Sequence, residues 1–410
     1  MQLTDEEQRI LQGESGEAER IAMRVLTKLG EANGADRMIP VVSAHLVGCS
    51  YQIAGEAGIQ IYTQLVEQGA KVKVPTTLDP GSIDFRKWEE FRIPSDYAKR
   101  QFLIANLLEK MGVIPTWTCT PYYLLNIPHF GEDVAWSESS AVAFINSVIG
   151  SRTNRMSAYL DLCAAIIGKV PRFGLHLPEN RRGEILLEIE PDLAAKFDDV
   201  HFPPLGYFMG EIAEDKIPVI SGLRSATFDQ LKFLSAAAAS TGSVALYHIV
   251  GITPEAQTLK MVFGKRRPVR TWRIGLKEIE ETIDRMSTFR GGKVDAVAVG
   301  CPHASVSQMQ RYAHLLKDQN ISVGVEFWVC TNEIVETISR KMGYCQGIEK
   351  AGGKILVGTC HNDCPLGAWK FNSLVTDSGK FAYYTPTTVG SKCFYTSLSR
   401  CVQAAIEGKI

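Results

Sequence analysis

The chain has 410 residues, 45% of them hydrophobic and 22% charged, with a formal net charge of −1 at pH 7. This is a soluble globular composition, long enough for two or three lobes with their own cores. Near-zero charge argues against nucleic acid or an anionic membrane as the main partner, since both need a basic footprint, and no apolar run reaches the roughly 18–20 residues of a membrane span.

The chain opens on "MQLTDEEQRILQGESGEAER", which is acidic and helical in pattern. It is not a secretory leader, so a cytoplasmic location is expected. "RMIPVVSAH" then reads as a strand, followed by a helix in "EAGIQIYTQLVEQG" with apolar residues at helical spacing. "AKVKVPTTLDPG", the helix "YAKRQFLIANLLEKMG" and the strand "VIPTWTCTPY" continue the rhythm. A stretch rich in Pro, Gly, Glu and His over residues 172–210 reads as a long irregular connection between two lobes, roughly 36–171 and 211–375. Beyond it "IPVISG", "SVALYHIVG", "VDAVAVG", "ISVGVEFWVC" and "KILVGTC" read as short strands with helices between them. Strand, helix, strand at this spacing implies βαβ units, hence an α/β fold of several lobes with mainly parallel sheets.

Ten cysteines without an export signal point to metal binding, catalysis or burial rather than to a disulfide framework. Cys163, Cys345 and Cys401 lie in helix-like apolar surroundings and are expected in the core. Cys119, Cys301, Cys330 and Cys360 each follow a strand-like run, where α/β folds gather their ligands. The tight Cys-x-x-Cys pairs of structural zinc sites and ferredoxins are absent; the closest pair is Cys360 and Cys364 in "GTCHNDCP". Three scattered loop thiols suit an iron–sulfur cluster with one iron left open as a Lewis acid. Small residues that merely end strands remain the alternative, as does a zinc hydrolase using Cys301, His303, Cys360 and His361.

Other segments carry two readings each. In "WSESSAVAFINSVIGSRTNR", Glu138, Ser139 and Ser140 either cap a helix or leave its N–H groups to an anion. Arg152, Asn154 and Arg155 bind a carboxylate or tie one loop to another. "SAHLVGCSYQ" ends a strand with His45, Gly48, Cys49 and Ser50, and the histidine reads as hydrogen-bonded scaffold. Lys380 follows a glycine turn in "TDSGKFAYYTP", and "GKRRPVR" at 264–270 reads as a solvated basic loop.

Taken together, "PTTLDPGSID", "TWTCTPY", "ESSAVAFINSVIGSRTNR", "VGCPHAS" and "GKFAYYTP", in that order, resemble the catalytic large subunit of aconitase X, over essentially the whole chain. The resemblance implies an aconitase-like dehydratase whose iron–sulfur cluster is bound by Cys119, Cys301 and Cys360. A 4Fe-4S cluster is expected, with 2Fe-2S or 3Fe-4S as alternatives, and Cys330 and Cys364 as bystanders. Substrate contacts carry over to Gly48, Cys49, Ser50, Asp79, Pro80, Glu138, Ser139 and Lys380. The general base of such chemistry is a serine on a smaller swivelling domain, so no catalytic base is assigned here. The pattern resembles the two-gene form, which implies a heterodimer with a small subunit.

Two reactions belong to the family: dehydration of (R)-5-phosphomevalonate to trans-anhydromevalonate 5-phosphate, on a mevalonate route to isoprenoids, and dehydration of cis-3-hydroxy-L-proline. Ser50 and Gly379 resemble the first type; Cys49 and the "AYY" after Lys380 resemble the second. Asp79 stands where the phosphomevalonate enzymes have Asn, and an ionised Asp79 would repel a phosphorylated substrate. The phosphomevalonate reading is placed ahead. A cluster-based iron or redox sensor is the alternative of another class, although the chain lacks the basic face that nucleic-acid binding needs.

Overall fold

Short apolar runs bounded by Gly and Pro become short, mainly parallel strands, most of which hand the chain to a helix. The computed structural model describes residues 1–123, 125–365 and 371–410. The first lobe holds β1 (Met38–Pro40), β2 (Ala44–Leu46), β3 (Thr76–Leu78), β4 (Ala135–Trp136) and β5 (Lys169–Pro171). β2 lies between β3 and β4 in a parallel sheet, and β1 pairs antiparallel with β5. The second lobe holds β6 (Ile185–Ile189), β7 (Pro218–Ser221), β8 (His248–Ile249) and β9 (Arg270–Ile274), parallel and in the order β8-β7-β6-β9. The third holds β10 (Ala296–Val299), β11 (Glu326–Thr331), β12 (Lys354–Val357), β13 (Ser373–Thr376) and β14 (Lys392–Tyr395), parallel and in the order β12-β11-β10-β13-β14.

Each lobe has its own apolar core, and Cys163, Cys345 and Cys401 are buried in them as expected. A fourth cluster joins the first and third lobes, packing Ile83, Phe91 and Ile93 against Trp328, Leu356 and Phe381. Side-chain caps start the helices that leave the strands. Thr227 with Gln230 opens Phe228–Thr241, and Ser305 with Gln308 opens Val306–Leu315, each satisfying N–H groups that have no partner within the helix.

The expected elements differ from the observed ones in three places. "VIPTWT" forms no strand: Ile114 makes a single bridge to Thr77, and Pro115 has no N–H to continue the ladder. Cys119 therefore leaves a loop rather than a strand. Cys330 lies inside β11, opposite Leu356 of β12, not beyond its end. The stretch 172–210 is not irregular throughout, since it carries β6 and the start of the helix Phe202–Ala213.

In the second lobe, Phe202–Ala213 and Phe228–Thr241 approach so closely that a Cβ on Gly206 would stand 2.3 Å from the Leu234 carbonyl oxygen. Backbone cannot yield as a flexible side chain can, so the missing Cβ sets the helix spacing. Gly206→Ala is expected to lower unfolding stability by about 1–3 kcal/mol. Urea unfolding of the variant checks this, and an unchanged midpoint would refute the close approach.

Candidate active site

In the third sheet the chain runs from β10 through β11 to β12 on one side and continues with β13 and β14 on the other. The crevice between β10 and β13 is thus a topological switch point, where open parallel sheets bind ligands. Cys301 follows β10, Cys360 follows β12, and Lys380 stands in the first turn of the helix Gly379–Tyr384 after β13. The first lobe faces them with Asp79 after β3, Cys119 in its loop, and Glu138 and Ser139 after β4. These residues, with Pro80, line one cavity of about 460 Å³. The glycine before Cys301, Gly300, is required by the backbone. Its φ is +82°, and a Cβ there would lie 2.3 Å from the Cys330 carbonyl oxygen, so only glycine lets the thiol reach the cavity. The Cys301–Pro302 peptide is cis.

Glu138 is the N-cap of Ser139–Phe144 and accepts from the Ser140 N–H, so the capping reading holds. The same carboxylate accepts from Lys380 Nζ at 2.6 Å. Burial would raise the Glu138 carboxyl, but the Lys380 ammonium and the Ser140 hydrogen bonds outweigh it and hold the group at about 2. Burial opposes the Lys380 charge, yet Glu138 and the nearby Cys301 and Cys119 keep it well above its ordinary value. The cavity therefore keeps a fixed cation beside a fixed anion. Asp363, also lining it, is pushed up to about 7 by burial against the opposing pull of Lys380.

Burial likewise raises the thiols, Cys301 to about 11 and Cys119 and Cys360 well above the ordinary value. Two backbone N–H groups already point at sulfur: His303 to Cys119 Sγ and Asn362 to Cys360 Sγ, both at 3.3 Å. The Asn362 side chain reaches Cys301 Sγ at 3.8 Å. Thiols that line one cavity and are met by N–H donors ionise when a bound cation compensates them. That donor set fits a cluster. Zinc at Cys301, His303, Cys360 and His361 finds no such support, because neither imidazole lines the cavity that holds the two thiols; His303 Nε2 pairs with the Thr359 carbonyl at 2.8 Å and His361 Nε2 with the Val299 carbonyl at 2.9 Å. Among the described residues no three His, Cys, Asp or Glu side chains gather closely enough to hold a single metal ion.

Several residues expected at the site stand behind its wall. Cys49 turns its thiol to the Asp79 carbonyl at 3.0 Å, and Ser50 caps Tyr51–Glu67 by accepting from the Ile53 N–H. Gly48 has φ +77° and its carbonyl accepts from the Tyr62 hydroxyl. Of the two thiols expected as bystanders, Cys364 packs in the apolar cluster between the lobes, and Cys330 Sγ lies 3.5 Å from His361 Nδ1. Asn154 ties the loop to Phe173 and Leu175, and Arg155 contacts the Gly242 carbonyl, so this segment joins loops. The basic residues Lys265, Arg266, Arg267 and Arg270 are exposed. The cavity also takes Asn362, Asp363, Tyr384, Thr387 and Thr388, which sequence reasoning missed. Their signal was present: Asn362 and Asp363 come two and three residues after Cys360, and hydroxyls recur one and two turns beyond Lys380.

Thiols and a buried ion pair gathered at the switch point of a parallel sheet define an α/β protein with a ligand-binding crevice. Family models place it more closely. Those for the first, second and third domains of aconitase X match residues 1–179, 183–284 and 294–407. The chain belongs to the aconitase X family. It is 37% identical to a protein of Methanocaldococcus jannaschii named phosphomevalonate dehydratase large subunit, over 98% of this chain and 100% of that one. It is 36% identical to a cis-3-hydroxy-L-proline dehydratase of Pseudomonas aeruginosa, over 98% of this chain and 70% of that one. The crystal structure of Thermococcus kodakaraensis aconitase X in its holo-form superposes with a TM-score of 0.90 at 35% identity, over 99% of this chain and 100% of that one. Among the described residues no helix is long and apolar enough to cross a membrane.

Removing one partner of a buried ion pair strands the other. Lys380→Met is expected to cost about 3 kcal/mol of stability at neutral pH. The depressed Glu138 carboxyl contributes stability above its unfolded value, about 4.3, which is lost as the pH falls through about 2. In the variant the unpaired carboxyl protonates more readily, so the gap to the parent protein should narrow between pH 7 and pH 4. Denaturant unfolding across that range checks it; a constant gap would contradict the pairing.

Proposed function

We propose that this chain is the cluster-bearing large subunit of a hydro-lyase that dehydrates (R)-5-phosphomevalonate, working with a smaller subunit. The observation that carries the reading is the single cavity lined by Cys119, Cys301 and Cys360 together with the Glu138–Lys380 pair. The relatives' names support the dehydratase class, and the "large subunit" in several of them supports a small-subunit partner. Five of the relatives at 33–38% identity carry the phosphomevalonate name.

Cys119, Cys301 and Cys360 would hold an iron–sulfur cluster, which supplies Lewis-acid assistance to the departure of a substrate hydroxyl. The chain's own residues bind and orient. Lys380 is the one cationic side chain lining the cavity among the described residues, so it receives the substrate's anionic group. Glu138 holds that ammonium charged and fixed in direction, so binding requires no reorganisation of the lysine. Ser139, Tyr384, Thr387 and Thr388 offer hydroxyls around the same space. The neighbouring N–H groups at Cys119 and Cys360 stabilise sulfur charge. The proton next to the carboxylate is taken by a base from the small subunit, which closes over this face.

Two outcomes are expected. After anaerobic reconstitution, Cys119→Ser, Cys301→Ser and Cys360→Ser each lose bound iron and sulfide and the brown absorption, whereas Cys330→Ser and Cys364→Ser keep them. Full iron and sulfide in any of these three variants would defeat the ligand set. The chain alone should be inactive, and the anaerobic pair with its cognate small subunit should dehydrate phosphomevalonate in preference to cis-3-hydroxy-L-proline. The reverse preference, measured as kcat/KM, would transfer the assignment to the other reaction.

A further inference from the structure

Behind the cavity wall two buried polar atoms face each other without a hydrogen-bond partner among the described residues: His45 Nε2 and Asp79 Oδ1. They stand 3.7 Å apart, with the histidine side chain fully buried and the aspartate side chain 6% exposed. That distance is longer than a formed hydrogen bond, and a small side-chain rotation closes it. Buried polar groups left unpaired are costly. If both atoms were bare acceptors they would repel, so one proton belongs in the gap.

The far side of the ring narrows where that proton resides. His45 Nδ1 lies 2.8 Å from Thr77 Oγ1. Thr77 Oγ1 also receives the Asn126 amide at 3.1 Å and can direct its own hydrogen to the Ala44 carbonyl at 3.3 Å. With the imidazole proton on Nδ1, every one of these groups is satisfied and Nε2 presents a lone pair to Asp79. The opposite tautomer would leave Asp79 an ionised carboxylate in a buried wall beside Glu138. Lys380, the cation on that wall, is already engaged by Glu138.

We propose that Asp79 is a neutral acid whose proton is donated to His45 Nε2, which makes His45 the positioning residue that keeps this wall of the cavity uncharged. Burial, then Glu138 and Asp363, raise the Asp79 carboxyl well above its ordinary value against the opposing Lys380. Burial pulls His45 down to about 3 despite Glu138 nearby, so the imidazole is neutral. Trp136 flanks the ring, with centroids 5.5 Å apart, and brings no charge. With Oδ1 directed at His45, the second oxygen of Asp79 is a carbonyl-type acceptor for the cavity. It takes a hydroxyl of the substrate, while the phosphate or carboxylate goes to Lys380. An aspartate held this way does not repel a phosphorylated ligand. This specificity role rests on the function proposed above.

The proton's place is testable without turnover. In the full chain labelled with 15N-histidine, and with His45→Gln used to assign the signal, His45 is expected as the neutral tautomer protonated on Nδ1. Its Nε2 resonance should carry a hydrogen-bond shift that persists in Asp79→Asn, whose amide still donates, and disappears in Asp79→Leu. A proton found on Nε2, or a resonance indifferent to both substitutions, overturns the proposal. In the assembled complex His45→Phe is expected to raise KM for phosphomevalonate about tenfold with a smaller change in kcat, and His45→Gln, which retains an acceptor, to restore most of it. Equal KM values for the two variants would also overturn it. A complex inactive on phosphomevalonate would defeat the proposed reaction instead and leave the tautomer result standing.

Discussion

The site depends on one ion pair, Lys380 to Glu138, whose partners are 242 residues apart. Both charges are nearly withdrawn from water, with side-chain exposures of 14% and 8%, so neither would persist there alone. The pair therefore joins the start of the helix after β13 to the start of the helix after β4. It sets the spacing across which the thiols of the two lobes face each other. A lysine so held stays charged and aimed, which is what an anionic ligand needs from a water-poor wall.

The remaining walls follow from parallel strands delivering their loops to one edge. Cys301 and Cys360 arrive from β10 and β12 of one sheet, while Asp79 and Glu138 arrive from β3 and β4 of another. The second lobe contributes from behind. Lys232, fully buried on Phe228–Thr241, donates to the His303 carbonyl at 3.0 Å and to Gln308, and pairs with Asp229 at 3.2 Å. It thereby braces the loop that follows Cys301, two residues from a thiol it never touches. Glycine serves the same end where backbones must pass closely, at Gly300 beside Cys330.

Much of this was legible in the residues. Apolar runs of four to six residues between glycines and prolines announce parallel strands, and two of the four cysteines thought to follow strands do so. The errors have local causes. Pro115 removes a ladder donor, so the run before Cys119 stays a loop with one bridge at Ile114. In "ISVGVEFWVC" strand pairing starts only at Glu326, after a Gly324 with φ +85°, and so continues past Cys330. The Pro- and Gly-rich stretch at 172–210 hides the five-residue strand β6 because its ends, not its middle, dominate the composition. His45 was read as scaffold; its Nδ1 is indeed tied to Thr77, but no pattern in the chain indicates that its other nitrogen meets Asp79.

Sequence alone determined the fold class, the burial of Cys163, Cys345 and Cys401, and the family, because strand and helix periods and ordered motifs are properties of neighbours along the chain. Which side chains share the cavity was decided by tertiary structure. Glu138 meeting Lys380, Cys49 turning away behind the wall, and the facing of His45 and Asp79 all depend on how sheets stack and loops cross. Contacts across tens to hundreds of residues leave no periodic trace, since nothing in local conformational preference depends on them.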